Sequence, residues 1–268
     1  AAPAPAPASS PRAQPPALSA REKAALKRFL DATDNPFVVH LEPLTRKRKR
    51  GGTRLTPLTD LFQERLSVLH EVRPREKWER LRRFKRFTIG SETIAVGDCV
   101  LVKQGDDGDG DGDANPTDAL DVEAQWKAKV LDVRALDAEH VYLKVAWLNR
   151  PEDLEGGRKA YHGRHELIPT NQLDVIDAMA VNGVLDVTHW DDADEKAPLP
   201  DDEEYFWRQT YDVAFTRTFS QLRPFCIDAQ PQNPDELILQ CDRHACAKWQ
   251  HARCLAAAAA QRESPSPP

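Results

Sequence analysis

The sequence predicts a mainly β protein, built as a partly closed barrel with few helices and flanked by segments that lack a core of their own. Of the 268 residues, 40 % are hydrophobic, 30 % are charged and 21 are prolines, so a sizeable part of the chain lies outside any core. From residue 87 onward, short runs of alternating apolar and polar residues are separated by Gly and Pro. This period-two pattern is typical of short strands and favours a small barrel.

The N-terminal segment, residues 1–40, is rich in Pro and Ala and is expected to be disordered. Such a segment cannot bury enough apolar surface to offset its ordering entropy. Within it, residues 20–33 carry apolar residues at helical spacing, which allows one short helix. Residues 41–87 follow as a basic linker or arm, an asymmetry that the net charge of −6 conceals.

Five consecutive basic residues stand in this arm and predict a nuclear-import signal or a weak contact with DNA phosphates. They are Arg46, Lys47, Arg48, Lys49 and Arg50. The alternative is a solvated basic linker, since such runs are common. No apolar run approaches the roughly 20 residues that a bilayer-spanning helix needs, so no membrane partner is expected.

The strand pattern is interrupted at residues 104–121 by QGDDGDGDGDANPTDALD. A calcium-binding EF-hand loop needs a bidentate Glu at its twelfth position. Counted from Asp106, that position is Thr117. The stretch is therefore interpreted as a flexible acidic insert between two strands.

Five stretches between residues 94 and 183 carry a resemblance to a known family. They are IAVGDCVLVK, WKAKVLDV, VYLKVAWLNRPED, GGRKAYHGRHELIPTNQLDVI and AVNG. In this order they resemble the bromo-adjacent homology (BAH) domain, over residues 88–222. Residues 223–255 are similar to the front part of a PHD finger, in a degenerate and truncated form. The order BAH then PHD resembles chromatin readers linked to Polycomb-type silencing, which implies a non-enzymatic nuclear adaptor that binds histone tails.

The resemblance implies a methyl-lysine cage, in which aromatic faces attract the cation through their quadrupoles. Carried over by position, its walls fall on Trp126, Trp147 and Asn149. An amide has no broad π-face, so the cage is partial unless Tyr161 supplies a ring. A lower methylation state, weaker binding or a docking scaffold with an inactive cage is then expected. The alternative is that both tryptophans are core or rim residues of the barrel.

A peptide groove is implied beside the cage. Glu152 and Asp153 would supply acidity there, although acids in loops are usually just solvated. His162 and Glu166 match a His and a Glu that the family places near the groove, and the alternative is that they order the loop. The implied partners are the histone H3 tail or nucleosome, with the repressive Polycomb-type mark as the leading ligand, and a chromatin-modifying complex.

Cysteine spacing in residues 223–255 predicts a zinc site with an incomplete ligand set. The candidate ligands are Cys226, Cys241, Cys246, His251 and Cys254. In one arrangement, Asp228 joins Cys226, His251 and Cys254. In another, Cys241, Cys246, His251 and Cys254 form a compact knuckle. The alternative is a decayed finger without metal, followed by a disordered tail at residues 256–268.

The sequence contains no motif that predicts catalysis. It shows neither an HExxH zinc motif nor a phosphate-binding Gly loop, and no activated nucleophile can be recognised. An enzyme is therefore not expected. The odd number of cysteines, five, argues against a disulfide framework.

Overall fold

The computed structural model describes residues 14–43, 45–47, 53–55, 68–103, 122–194, 197–242, 246 and 248–263. Within these ranges the protein is mainly β with three α-helices, which confirms the predicted fold class. In chain order the elements are α1 (Ala20–Leu30), β1 (Val38–Pro43), β2 (Thr45–Lys47), β3 (Thr53–Leu55), β4 (Val68–Arg73), α2 (Arg75–Arg80), β5 (Arg82–Phe84), β6 (Arg86–Ile89), β7 (Glu92–Ala95), β8 (Cys99–Val102), β9 (Trp126–Ala135), β10 (Val141–Asn149), β11 (Ile168–Asp177), β12 (Val181–Leu185), β13 (Val187–His189), β14 (Tyr205–Trp207), β15 (Ile238–Gln240), β16 (Trp249–His251) and α3 (Ala252–Glu263).

Six strands form the central antiparallel sheet. Its order is β11–β10–β9–β8–β12. Strand β5 pairs with the second half of β9, on the same side as β8. Strand β10 carries a register shift on each of its two ladders, and such bulges increase twist and bend a sheet. In the described part of the chain no ladder joins β11 to β12, so the curved sheet stays open at that edge.

Both faces of the central sheet are covered, which is why β9 and β10 are buried almost throughout. Alternate residues of β10 point to opposite faces. Leu143, Val145 and Trp147 join one core cluster, while Tyr142 and Ala146 join clusters on the other side. The trans-sheet alternation thus builds two apolar layers from one strand.

The second layer is covered by N-terminal residues for which the sequence predicted disorder or a linker. Leu26 and Leu30 of α1 are buried there, and Phe37 packs edge-on against Trp78 at 5.1 Å and Tyr142 at 5.3 Å between ring centroids. Strand β1 pairs with β4 along its whole length. Residues 34–40, which follow the expected short helix, are thus ordered where disorder was predicted, because a sheet with two apolar faces needs a cover that the barrel strands alone do not supply.

Helix α1 is the short helix expected from the spacing of its apolar residues. It begins with a capping box, in which the Ser19 hydroxyl accepts from the Glu22 backbone N–H and the Glu22 carboxylate accepts from the Ser19 N–H. In the described ranges no helix has the length and apolar character that crossing a membrane requires.

The C-terminal segment is ordered as far as residue 263. Strand β15 pairs with β16, and α3 follows directly. Five consecutive alanines lie within α3, and alanine is the strongest helix former. This corrects the expectation of a disordered tail for residues 256–263. The segment docks on the loop before β11, where the Asn233 side chain donates to the Ala160 carbonyl at 2.8 Å.

Candidate functional site

A cavity of about 490 Å³ opens at one end of the central strands, where β9 begins and β10 ends. Four of the residues predicted for the cage or groove line it, namely Trp126, Trp147, Asn149 and Asp153. They meet there because β9 and β10 are antiparallel, so that the first residues of one strand lie beside the last residues of the other. Two residues of β11, Gln172 and Asp174, complete this wall.

The two tryptophans differ in exposure. Their ring centroids lie 5.4 Å apart with planes at 87°, an edge-to-face pair. Trp126 is 49 % exposed, whereas Trp147 is 7 % exposed and packs in the main core cluster. Trp126 therefore offers its ring to a ligand, and Trp147 is both a core side chain and a cavity wall.

Asp174 supplies the negative charge of this cavity. Its carboxylate accepts from the Val175 backbone N–H at 2.8 Å and from the indole N–H of Trp147. Burial raises its pKa above the ordinary value, and the two hydrogen bonds only partly oppose this. Among the described residues no Lys, Arg or His forms an ion pair with Asp174.

A second carboxylate of the cavity is neutralised within the protein. Arg150 holds Asp153 through two hydrogen bonds, at 2.9 Å to Oδ2 and 3.0 Å to Oδ1. The Lys127 ammonium donates to the Glu123 backbone carbonyl at 2.9 Å. Asp174 differs from Asp153 in that no cation of the described residues forms an ion pair with it.

Tyr161 does not line this cavity, which corrects the prediction that it supplies the missing cage wall. Its ring packs against His162 at 4.5 Å, and its carbonyl accepts from Arg208 Nη2 at 2.7 Å. Asn149, half-buried, remains the third wall residue.

A second cavity of about 380 Å³ adjoins the first, and three predicted groove residues line it: Glu152, His162 and Glu166. Glu166 is fully buried, with Arg208 Nε at 3.1 Å from its Oε1 and the Gly163 N–H donating to its Oε2 at 2.9 Å. Glu152 is paired with Arg158 at 2.9 Å. These carboxylates are therefore engaged with the protein's own cations.

His162 has the contacts of a residue that orders its loop. Its Nδ1 accepts from the Lys159 backbone N–H at 3.0 Å, and its Nε2 lies 3.2 Å from the Gln209 side-chain oxygen. Burial lowers the pKa of His162, so the ring is neutral at pH 7 and Nε2 donates to Gln209.

The basic run is only partly within the described residues. Arg46 and Lys47 belong to β2, which pairs with β3 in a separate two-stranded sheet. Arg48, Lys49 and Arg50 lie outside the described residues, as does the acidic insert at residues 104–121. Import or phosphate binding by this run stays a prediction.

Four side chains of the C-terminal segment gather around one point. The ligand atoms of Cys226, Asp228, His251 and Cys254 all lie within 4.8 Å of one another. Neither Cys241 nor Cys246 joins a group of three or more such atoms in the described ranges. The structure thus forms the arrangement with Asp228 and does not form the compact knuckle, because the β15–β16 pair carries Cys241 away from the start of α3.

Comparison with known proteins adds the following findings. Residues 92–223 match the family model described as the BAH domain. The chain is 28 % identical over 167 residues to the chromatin remodeling protein EBS of Arabidopsis thaliana, in an alignment covering 62 % of this chain and 64 % of that protein. It is 26 % identical over 177 residues to the chromatin remodeling protein SHL of the same plant, covering 65 % and 70 %.

The chain therefore spans slightly less than two thirds of the length of EBS. Among solved structures, the crystal structure of the yeast Rsc2 BAH domain matches with a TM-score of 0.36 and 15 % identity. That match covers 53 % of this chain and 55 % of the other.

Proposed function

We propose that this chain, which carries a BAH domain, is a non-enzymatic chromatin-binding adaptor of the nucleus whose BAH domain binds a lysine of a histone tail. The observation that carries the proposal is the edge-to-face pair of Trp126 and Trp147 beside the carboxylate of Asp174, in one open cavity. Aromatic faces and an acid are the groups that recognise an alkylated ammonium ion.

The energetics favour a cationic ligand at this point. Burial of Asp174 disfavours its charged form, and an incoming cation would relieve that cost. The exposed face of Trp126 would add about 0.5–2 kcal/mol as a cation–π contact. The charge of Asp174 and the ring of Trp126 would act on the same ammonium group, since the two residues line one cavity.

The wall chemistry favours a lower methylation state. A trimethylammonium ion has no N–H and is best served by several aromatic faces, whereas this cavity offers one exposed ring, one buried ring and an amide. Mono- and dimethyl-lysine keep an N–H that can donate to Asp174 in a charge-assisted hydrogen bond. We therefore place these states ahead of trimethyl-lysine on the histone H3 tail, with the Polycomb-type site as the leading position.

The relatives support the wider setting of this proposal. Both curated relatives are named as chromatin remodeling proteins. By analogy with them, the adaptor would bring a chromatin-modifying complex to marked nucleosomes and contribute to transcriptional silencing.

A docking scaffold with an inactive cage is the second candidate, and one surface favours it. Arg82 of β5, Lys85 between the two strands and Arg86 at the start of β6 are exposed, and the Arg82 guanidinium lies 5.4 Å from the ring centroid of the exposed Phe84. Exposed cations close together in the chain suit DNA phosphates. In this case the tryptophans would be structural and binding would depend steeply on salt.

Calorimetric titration separates the two candidates. The full chain is titrated with H3 tail peptides carrying the unmodified, mono-, di- and trimethylated Polycomb-site lysine. We expect tightest binding of the mono- or dimethyl peptide and a loss of roughly tenfold in Trp126→Ala, equivalent to about 1.4 kcal/mol. Phe84→Ala, which removes an exposed ring outside the cavity, is the matched control and should bind as the wild type.

Equal affinity for all four peptides, unchanged by Trp126→Ala, would contradict the reader function. If DNA binding is then found that weakens steeply with salt and is reduced by a combined Arg82→Ala and Arg86→Ala variant, the scaffold explains the protein.

A further inference from the structure

We propose that the C-terminal segment binds one zinc ion, held in a single tetrahedral site by Cys226, Asp228, His251 and Cys254. Two thiolates, an imidazole and a carboxylate are a ligand set that zinc accepts in structural sites. These four residues lie outside the proposed histone site.

The measured distances match the edges of a zinc tetrahedron. Bonds of about 2.3 Å to sulfur and about 2.0 Å to nitrogen or oxygen imply ligand separations of about 3.5 Å for sulfur to nitrogen or oxygen, and about 3.3 Å for nitrogen to oxygen. Cys254 Sγ lies 3.7 Å from His251 Nδ1 and 3.3 Å from an oxygen of Asp228. His251 Nδ1 lies 3.4 Å from the same Asp228 oxygen.

Local structure brings the four ligands together from two places in the sequence. Cys226 and Asp228 lie on a turn closed by the Ala229 N–H donating to the Cys226 carbonyl at 3.0 Å. His251 ends β16 and Cys254 lies in the first turn of α3, so their i,i+3 spacing places both on one side. The His251 N–H also donates to Cys226 Sγ at 3.4 Å, an orientation that suits a thiolate.

The segment lacks an apolar core that could explain this arrangement. Between residues 223 and 262, the described residues that are buried are Gln232 and His251, both polar. Large apolar side chains such as Ile227 and Leu237 are 65 % and 70 % exposed instead. Segments this poor in core commonly depend on a metal, because metal binding supplies the folding free energy.

His251 is the central residue of the site. It is wholly buried and its ring lies 5.2 Å from that of Phe225, so packing fixes the direction of Nδ1 toward the two sulfurs and the carboxylate. Its Nδ1 lies beside Cys254 Sγ and an Asp228 oxygen, whereas its Nε2 has no partner among the described residues, so a metal at Nδ1 would require the tautomer with the ring proton on Nε2.

Metal analysis of the full chain tests the site. Protein purified with zinc and dialysed should contain one zinc ion per chain by mass spectrometry, and the Co²⁺-loaded form should show the intense d–d and sulfur-to-cobalt bands of a tetrahedral thiolate site. Cys226→Ser and Cys254→Ser should lose the metal, and Asp228→Asn should bind it more weakly. Cys246→Ser, outside the cluster, is the matched control and should keep one zinc.

The wild-type chain provides a second test in case a cysteine variant does not fold. Thiol titration before and after chelation should release two additional reactive cysteines. Less than half a zinc ion per chain, a Co²⁺ spectrum without sulfur bands, or four cysteines released on chelation would overturn the single Cys₂HisAsp site.

Discussion

Two adjoining cavities at the ends of the central strands differ in whether the protein neutralises the carboxylate that lines them. In one, Glu166 is fully buried against Arg208, whose side chain is also fully buried and stacks on Trp190 at 4.7 Å. In the other, Asp174 is half-buried and is hydrogen-bonded only by uncharged N–H groups. The first carboxylate completes the fold, and the second is left for a cation from outside.

The difference teaches which acids of a binding surface are available. A buried charge with a buried partner is part of the structure, since separating the pair is strongly unfavourable. A carboxylate next to an exposed aromatic ring and without a cation is available for a ligand. Residues that look equivalent in the sequence thus divide by whether the protein supplies their counter-charge.

The largest effect should follow from breaking the buried pair. Glu166→Ala leaves the Arg208 charge without its nearest partner, and we expect a loss of about 3–5 kcal/mol in the free energy of unfolding, measured by urea denaturation. Glu155→Ala is the control, because its pair with Arg217 is mostly exposed, and it should leave stability unchanged. If Glu166→Ala is as stable as the control, the Glu166–Arg208 pair does not stabilise the fold. Glu166 would then be as available to a ligand as Asp174.

The two tryptophans should separate stability from binding. Trp147→Ala removes a core ring and should lower the free energy of unfolding by roughly 3 kcal/mol. Trp126→Ala, at a half-exposed position, should leave the unfolding transition in place while weakening peptide binding. If Trp126→Ala instead destabilises the fold as much as Trp147→Ala, both rings are structural.

The raised pKa of Asp174 predicts a pH dependence of peptide binding. A cationic lysine needs the ionised carboxylate, so affinity should be constant at neutral pH and fall as the pH is lowered through the raised pKa of Asp174. Calorimetry at a series of pH values measures this. Asp174→Asn should bind roughly tenfold more weakly at neutral pH, by the loss of a charge-assisted hydrogen bond, and should show a flatter pH profile. If the affinity of Asp174→Asn depends on pH as that of the wild type does, a group other than Asp174 supplies the negative charge that binds the lysine.

The smallest effect concerns a charge pair that fixes helix α1. Burial lowers the pKa of His140, but hydrogen bonds to Asp137 at 2.7 Å and Asp31 at 2.9 Å outweigh it and raise the pKa above its ordinary value of 6.5. A raised histidine pKa stabilises the fold below pH 6.5, and this contribution is lost as the pH rises through the raised value.

Denaturation at pH values on either side of neutrality measures the effect. The free energy of unfolding should fall slightly with rising pH in the wild type and change less in His140→Gln. If the free energy of unfolding depends on pH equally in both proteins, protonation of His140 does not contribute to stability.

Much of the fold and part of the site follow from local sequence. Alternating runs predict β8 to β11, and the order of motifs over residues 94–183 resembles the BAH domain, whose family model matches residues 92–223. Trp126 and Trp147 were named together because the family resemblance implies that both are cage walls, and the structure brings their rings into contact. Asp174 was missed. An acid inside an apolar strand was the available signal, but which strand flanks the tryptophans is decided by sheet order.

The corrections have the same origin. Tyr161 lies in the loop that the sequence assigns to the groove, yet its ring packs against His162 and away from the cage. Residues 34–40 were predicted to be disordered because their few apolar side chains form no core alone. They become ordered because the central sheet presents a second apolar face, with Tyr142 at its centre, that has to be covered.

By itself the sequence determined the strands, the family resemblance and the identity of the two tryptophans, since these depend on period, spacing and order along the chain. Only the tertiary structure decided which charges are neutralised, which rings stay exposed and which of the four C-terminal cysteines meet His251. Counter-charge, burial and metal geometry depend on distances between residues that are far apart in sequence, and these distances are fixed only when sheet order and packing are complete.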